Sequence, residues 1–234
     1  MKQINTLVSL YSLIALVVVF ERLSKITEIL LDPYHFIRLH ELNQTVLFLG
    51  ATIVISVLIL KLTTNNFQTL KEKGNTFLLI LFILGAYLYG AGEGWHEVAS
   101  FTLHTYCNMH QIIGNLCGGL YINDYYAGNI IFFIGAVMMN YALLAFSVQQ
   151  PVKNFTRKDM SILLINSIIY AFTWIKYAAY DEVLVGLFFS TLLMFLSFWF
   201  VFKIKNKFAQ YPYVTYSLLA YVIATIATIL IKFH

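Results

Sequence analysis

Acids, histidines, a serine and a cysteine recur at helical spacing between Gly90 and His110. On a helix that turns about 100° per residue, Glu97 lies about 40° from Glu93, Ser100 about −20°, His104 about 20°, Cys107 about −40° and His96 about −60°. These residues therefore share one stripe, while Val98, Phe101, Thr102 and Leu103 face elsewhere. Carboxylate oxygens and imidazole nitrogens suit zinc, iron or manganese better than copper(I), since only Cys107 and Cys117 offer soft sulfur. Glu93, His96, His104 and His110 are accordingly the candidate metal ligands, with Glu97 able to join them, and zinc or another divalent metal is the candidate cofactor. Glu97, Ser100, Asp124, Asp181 and Glu182 are the candidate catalytic groups, placed to orient an imidazole or to act as a general base.

Such a stripe next to lipid is costly unless it faces a protein interior or a water-filled cavity, which makes it a site for metal or acid–base chemistry. Two other readings stand beside this one. Gly90, Gly92 and Gly94 can end the third helix, leaving residues 96–126 as an outer loop whose polar groups face water. Alternatively, the same groups can form an ion or proton pathway. Cys107 and Cys117, ten residues apart, can form a disulfide in an oxidising compartment, share a metal with His110, or stay free.

His96-Glu97 begins like the zinc-protease signature, but Ser100 stands where its second histidine belongs. The Ser100-x3-His104 pair resembles one in the superfamily of seven-span hydrolases that includes alkaline ceramidases and progestin/adiponectin-type receptors, whose serine, aspartate and three histidines hold zinc. This chain departs from that family's pattern in its last apolar run, which carries no histidine pair and is followed only by His234. A retinal-type Schiff-base lysine within the last span, a phosphate-cradling loop, a nucleophile elbow and a paired-aspartate prenyltransferase motif are also missing.

The elements that must position these residues follow from hydropathy. The chain is 60% hydrophobic and 11% charged, against about 25% charged in an ordinary soluble domain. Apolar runs long enough to cross a hydrocarbon core of about 30 Å occur at residues 4–20, 45–62, 76–92, 128–148, 161–177, 183–202 and 213–231. Continuous rather than alternating hydrophobicity favours helices over barrel strands. The expectation is an all-α, polytopic membrane protein with seven transmembrane helices in a single domain over residues 1–234. The first run has no small-residue cleavage site before Glu21 and reads as a retained helix.

Counting Lys and Arg in the connections gives ten on the N-terminal side, Lys153 included, and five on the other. That places the N-terminus in the cytoplasm and the C-terminus outside. All six histidines and nine of the eleven acids then fall on the extracytoplasmic side, and they were not used to assign it. The first outer connection, residues 21–43, includes apolar Phe36 and Ile37 among its charges. It reads as two short helices broken at Asp32-Pro33, either lying in the interface or forming a lid that carries His35 and His40.

Together these features lead to an integral-membrane enzyme acting on a lipid or other apolar substrate through a His/carboxylate site. The alternatives are a cation or proton transporter and a structural or sensory protein. Membrane lipids and an apolar small molecule are the expected partners. Nucleic acid is not, because the basic residues form no patch with aromatic platforms.

Overall fold

A backbone inside hydrocarbon must satisfy its N–H and C=O groups within its own segment, and the apolar runs do so as helices. The computed structural model describes residues 1–234 apart from 34, 36, 153, 154 and 206, so Phe36 and Lys153 lie outside the described residues. Among the described residues, seven helices are long and apolar enough to cross a membrane: α1 (Lys2–Leu23), α2 (Leu39–Thr63), α3 (Asn75–Tyr106), α4 (Gly114–Ser147), α5 (Arg157–Ala178), α6 (Val185–Lys203) and α7 (Pro212–Phe233). There is no β-strand among the described residues, only the isolated bridge between Leu30 and Arg38.

The bundle is apolar on its exterior as well as in its core, and it buries small hydroxyl residues between its helices. Large apolar side chains such as Leu13, Phe77, Tyr87, Phe188 and Phe202 point outward, whereas Ser12, Ser167, Ser190, Ser197 and Thr228 are fully buried. Small hydroxyl residues let helices approach closely and bond across their seams. Ser12 donates to the Asn166 carbonyl at 3.0 Å, Ser167 to the Tyr216 carbonyl at 3.1 Å, and the Tyr213 hydroxyl to Asn140 Oδ1 at 3.1 Å.

Three helices differ from the hydropathy reading in a way that matters for the site. The glycines at 90, 92 and 94 do not end the third helix; α3 continues through them to Tyr106. Of the three, Gly92 is the one that α4 approaches too closely for a side chain. A Cβ on Gly92 would lie 2.2 Å from Phe132 N, one on Gly135 2.3 Å from Tyr89 N, and one on Gly128 2.8 Å from His96 Cα. Gly85 and Gly92 on α3 thus mesh with Gly128 and Gly135 on α4, each pair one heptad apart. In addition, α4 begins at Gly114 rather than near Gly128, and α2 begins at Leu39 rather than near Thr45.

Both early starts pass through a π-helical segment, Asn43–Phe48 in α2 and Asn123–Gly128 in α4. Such segments are rare and turn side chains away from regular helical register. Among the described residues of the α1–α2 connection are a 3-10 turn, Lys25–Thr27, and an antiparallel contact in which Leu31 and Leu39 donate to the carbonyls of Ile37 and Ile29 at 2.9 Å; the second short helix expected here is the first turn of α2, Leu39–Leu42. Cys107 and Cys117 are joined in a disulfide that ties the end of α3 to the start of α4.

The glycine seam makes a prediction. Gly92→Ala pushes the α3 and α4 backbones apart and should cost about 1–3 kcal/mol or more. Gly94→Ala, whose Cβ meets nothing within 4 Å, should instead gain up to about 1 kcal/mol of helix propensity. Thermal unfolding of both variants in detergent checks this, and equal effects at the two positions would contradict it.

Candidate functional site

Meshing Gly128 against His96 fixes the register of α3 on α4, and the polar groups follow from that register. His96 Nδ1 sits 2.9 Å from Asp124 Oδ1 and 3.1 Å from the Asp124 carbonyl, with both residues buried. The π-helical segment brings Asp124 round to this position. Asn129, one turn on, also donates to the Asp124 carbonyl at 3.0 Å and accepts a hydrogen bond from the Tyr177 hydroxyl of α5.

The next residue of α3, Glu97, is almost fully buried and is approached from two helices. Arg22, at the end of α1, donates to Glu97 Oε1 at 2.5 Å. His40, in the first turn of α2, places Nε2 3.9 Å from Glu97 Oε2 while its Nδ1 lies 2.7 Å from Glu21 Oε2. Gln44 donates to the same Glu21 oxygen at 2.7 Å. Glu41 is buried and accepts from the Arg38 backbone N–H at 3.0 Å, from Nε at 2.9 Å and from Nη2. These bonds hold the Arg38 guanidinium firmly protonated, above its ordinary range. They also cap the start of α2. Glu93, half-buried, lies within electrostatic reach of Glu97, His96 and Arg22.

Beneath this cluster a cavity of about 230 Å³ opens between α1, α2, α3, α4 and α5. Its outer end carries Arg22, Gln44, Glu93, Lys176 and Tyr177, and its body is walled by Tyr11, Tyr89, Phe132, Tyr170 and Trp174. The Trp174 indole N–H is buried without a hydrogen-bond partner among the described residues. A smaller void of about 40 Å³ continues past Ser56 to Asn140 and Tyr213.

The residues singled out from the sequence separate into three groups. Glu93 lines the cavity, while His96, Glu97 and Asp124 are buried beside it in ion pairs. His104 is exposed, with Nδ1 2.8 Å from the Ser100 carbonyl of its own helix, and His110 is exposed beyond the end of α3. Ser100 is half-buried on the same helix. Asp181 and Glu182 lie between α5 and α6; Glu182 is exposed, and the Asp181 carbonyl accepts from Lys232 Nζ at 2.6 Å. Burial pushes the Asp181 carboxyl above its ordinary range, with Lys232 and the adjacent backbone N–H groups opposing the shift.

Sequence reasoning did not assign Glu21, Arg22, His40, Glu41 and Gln44 to the site. The available signal was helical spacing: His40, Glu41 and Gln44 fall within one turn of each other immediately before an apolar run. The ligand atoms of His40, Glu41 and Glu97 lie within 4.8 Å of one another, which makes them the candidate metal-holding set among the described residues.

No known protein family, no curated protein and no solved structure matches this chain, so the reading of the site rests on its own chemistry.

Removing Arg22 leaves the Glu97 charge buried with one partner fewer. A fully buried pair broken on one side costs about 3–5 kcal/mol. The Arg22 side chain is 36% exposed, so Arg22→Ala should cost less, about 2 kcal/mol. Adding Glu97→Gln should restore part of that loss. A double-mutant cycle on chemical unfolding measures the coupling, and strictly additive losses would contradict the pairing.

Proposed function

We propose that this chain is an integral-membrane enzyme that acts on a lipid or other apolar substrate through the His/carboxylate cluster, in the extracytoplasmic half of the bilayer. The observation that carries the reading is the position of Glu93, whose carboxylate adjoins an ionised cluster on one side and an aromatic-walled cavity on the other. A hydrocarbon chain gains about 0.8 kcal/mol per buried CH₂ in such walls, and its polar head then meets Glu93, Arg22 and Gln44.

Glu93 serves as general base or acid at the substrate's head. Arg22 and Lys176 carry the positive charge that stabilises an oxyanion as it develops. The unpartnered Trp174 N–H supplies one further donor. The His96–Asp124 pair is a positioning element, since its contacts are with α4 and it lines no part of the cavity.

Glu93→Gln removes the acid–base group at nearly constant volume. On a panel of neutral, anionic and zwitterionic lipids in mixed micelles, it should lower kcat about 10²–10⁴-fold on whichever lipid the wild type turns over. Turnover by Glu93→Gln at the wild-type rate, or no turnover of any lipid by wild type, counts against the enzyme.

Two observations support placing this face outside. Lys and Arg concentrate in the connections on the opposite side. The Cys107–Cys117 disulfide belongs to an oxidising compartment. After brief reduction of intact cells, a membrane-impermeant maleimide should label Cys107 and Cys117. Labelling only after the membrane is permeabilised would reverse the orientation.

A second reading, cation or proton transport, is favoured by the smaller void that carries polar groups from Ser56 to Asn140 and Tyr213 beneath the cavity. Gradient-driven uptake in proteoliposomes belongs to that reading alone.

A further inference from the structure

We propose that His40, Glu41 and Glu97 form a binding site for one divalent transition metal, with Glu21 as the outer partner that orients the imidazole. The site stands on its own geometry, whichever reading of the protein's function holds. On the enzymatic reading, it puts a Lewis acid beside the cavity.

The tautomer of His40 is the starting point. Its Nδ1 lies 2.7 Å from Glu21 Oε2, a contact between two acceptors unless Nδ1 carries the proton, and the carboxylate therefore selects that tautomer. In the neutral ring Nε2 is then a lone pair. That lone pair faces Glu97 Oε2, another acceptor, across 3.9 Å, which is too long for a hydrogen bond. Two donors on one tetrahedral zinc, each at about 2.0–2.1 Å, are about 3.3–3.4 Å apart. The observed gap closes to that value with small side-chain rotations, and a cation turns two opposed lone pairs into ligands. A histidine that gives its second nitrogen to a carboxylate and its first to the metal is the usual outer arrangement of such sites.

Glu41 completes the set, since its carboxylate, the Glu97 carboxylate and an imidazole nitrogen of His40 lie within 4.8 Å of one another. Three protein ligands leave a coordination position open for water or substrate, as in catalytic rather than structural zinc sites. Nitrogen and oxygen donors without thiolate select zinc, manganese or iron(II).

Charge supports the same conclusion independently. The three carboxylates in direct contact here, Glu21, Glu41 and Glu97, face two guanidinium groups, Arg22 and Arg38. With His40 neutral, negative charge remains in excess, and uncompensated buried charge is expensive. A dication offsets it. Glu21 adds a further sign: its Oε1 is buried without a hydrogen-bond partner among the described residues, and its side chain is only 8% exposed. The competing arrangement is a doubly protonated His40 that bridges Glu21 and Glu97, with no metal.

The test uses the whole chain, purified in detergent without a histidine tag, stripped with chelator and titrated with zinc and with manganese. Bound metal is counted by elemental analysis, and the ligand field is read from the cobalt(II) absorption spectrum. Wild type should take up one equivalent and show the intense visible bands of a four- or five-coordinate site. His40→Ala and Glu97→Gln should each weaken binding at least about tenfold and abolish those bands, and Glu21→Gln, which keeps all three ligands, should weaken it about 10–100-fold. A His104→Ala/His110→Ala double variant should bind as wild type does. Absence of stoichiometric binding by wild type would overturn the metal site. Unchanged binding in folded Glu97→Gln, or binding lost in the His104/His110 variant, would overturn the assignment equally. No lipid enters the measurement, so failure of the enzymatic reading and failure of the metal site remain separate results.

Discussion

A carboxylate placed inside a membrane helix has to be neutralised by something, and Glu97 is the carboxylate around which this bundle is arranged. Its charge sits on α3 and is met from α1 by Arg22, while His40 of α2 stands 3.9 Å away. One end of each of these three helices is thereby gathered around the same carboxylate. Leaving such a charge unpaired costs several kcal/mol, comparable to the whole stability of many domains. The ion-pair cluster therefore decides how the helices close over the cavity, and lipid-facing leucine and phenylalanine fill in around that arrangement.

The glycine seam between α3 and α4 is the second constraint, and it acts through register. Because Gly92 and Gly128 admit no side chain at the crossing, α4 can slide very little relative to α3, and Asp124 arrives at His96 rather than a turn away. The π-helical segments at Asn43–Phe48 and Asn123–Gly128 adjust the remaining angle. Each brings a polar side chain, Gln44 or Asp124, into the cluster, where a regular helix would shift it by about a hundred degrees. Irregular backbone at that depth is tolerated only where protein or a cavity surrounds it.

Those two constraints explain what could be read from the sequence. The seven spans were legible because twenty apolar residues have few alternatives in a chain of this composition. The stripe from Glu93 to Glu97 was legible because helical periodicity needs no partner to be computed. The glycines at 90, 92 and 94 were ambiguous, because the same residue ends helices and permits their close contact, and only the position of α4 decides between the two. His104 fits the stripe by angle but lies two turns further along the helix axis, where it faces outward while Phe101 and Leu103 are buried. His40 and Glu41 belong to the site through a tertiary contact, and their segment looked interfacial because its apolar and charged residues alternate without a clean period.

The central claim is that the ionised cluster works on an apolar chain held in the aromatic cavity beneath it. Photocrosslinking tests this most directly, using a fatty-chain probe with a diazirine near its tail, with the adducts mapped by mass spectrometry. The account predicts adducts on Tyr89, Phe132 and Trp174, reduced by competition with unlabelled lipid and by filling the cavity with Ala15→Phe. Adducts confined to outward residues such as Phe77, Ile80 and Phe195 would mean that the chain stays in the bilayer, and would contradict it.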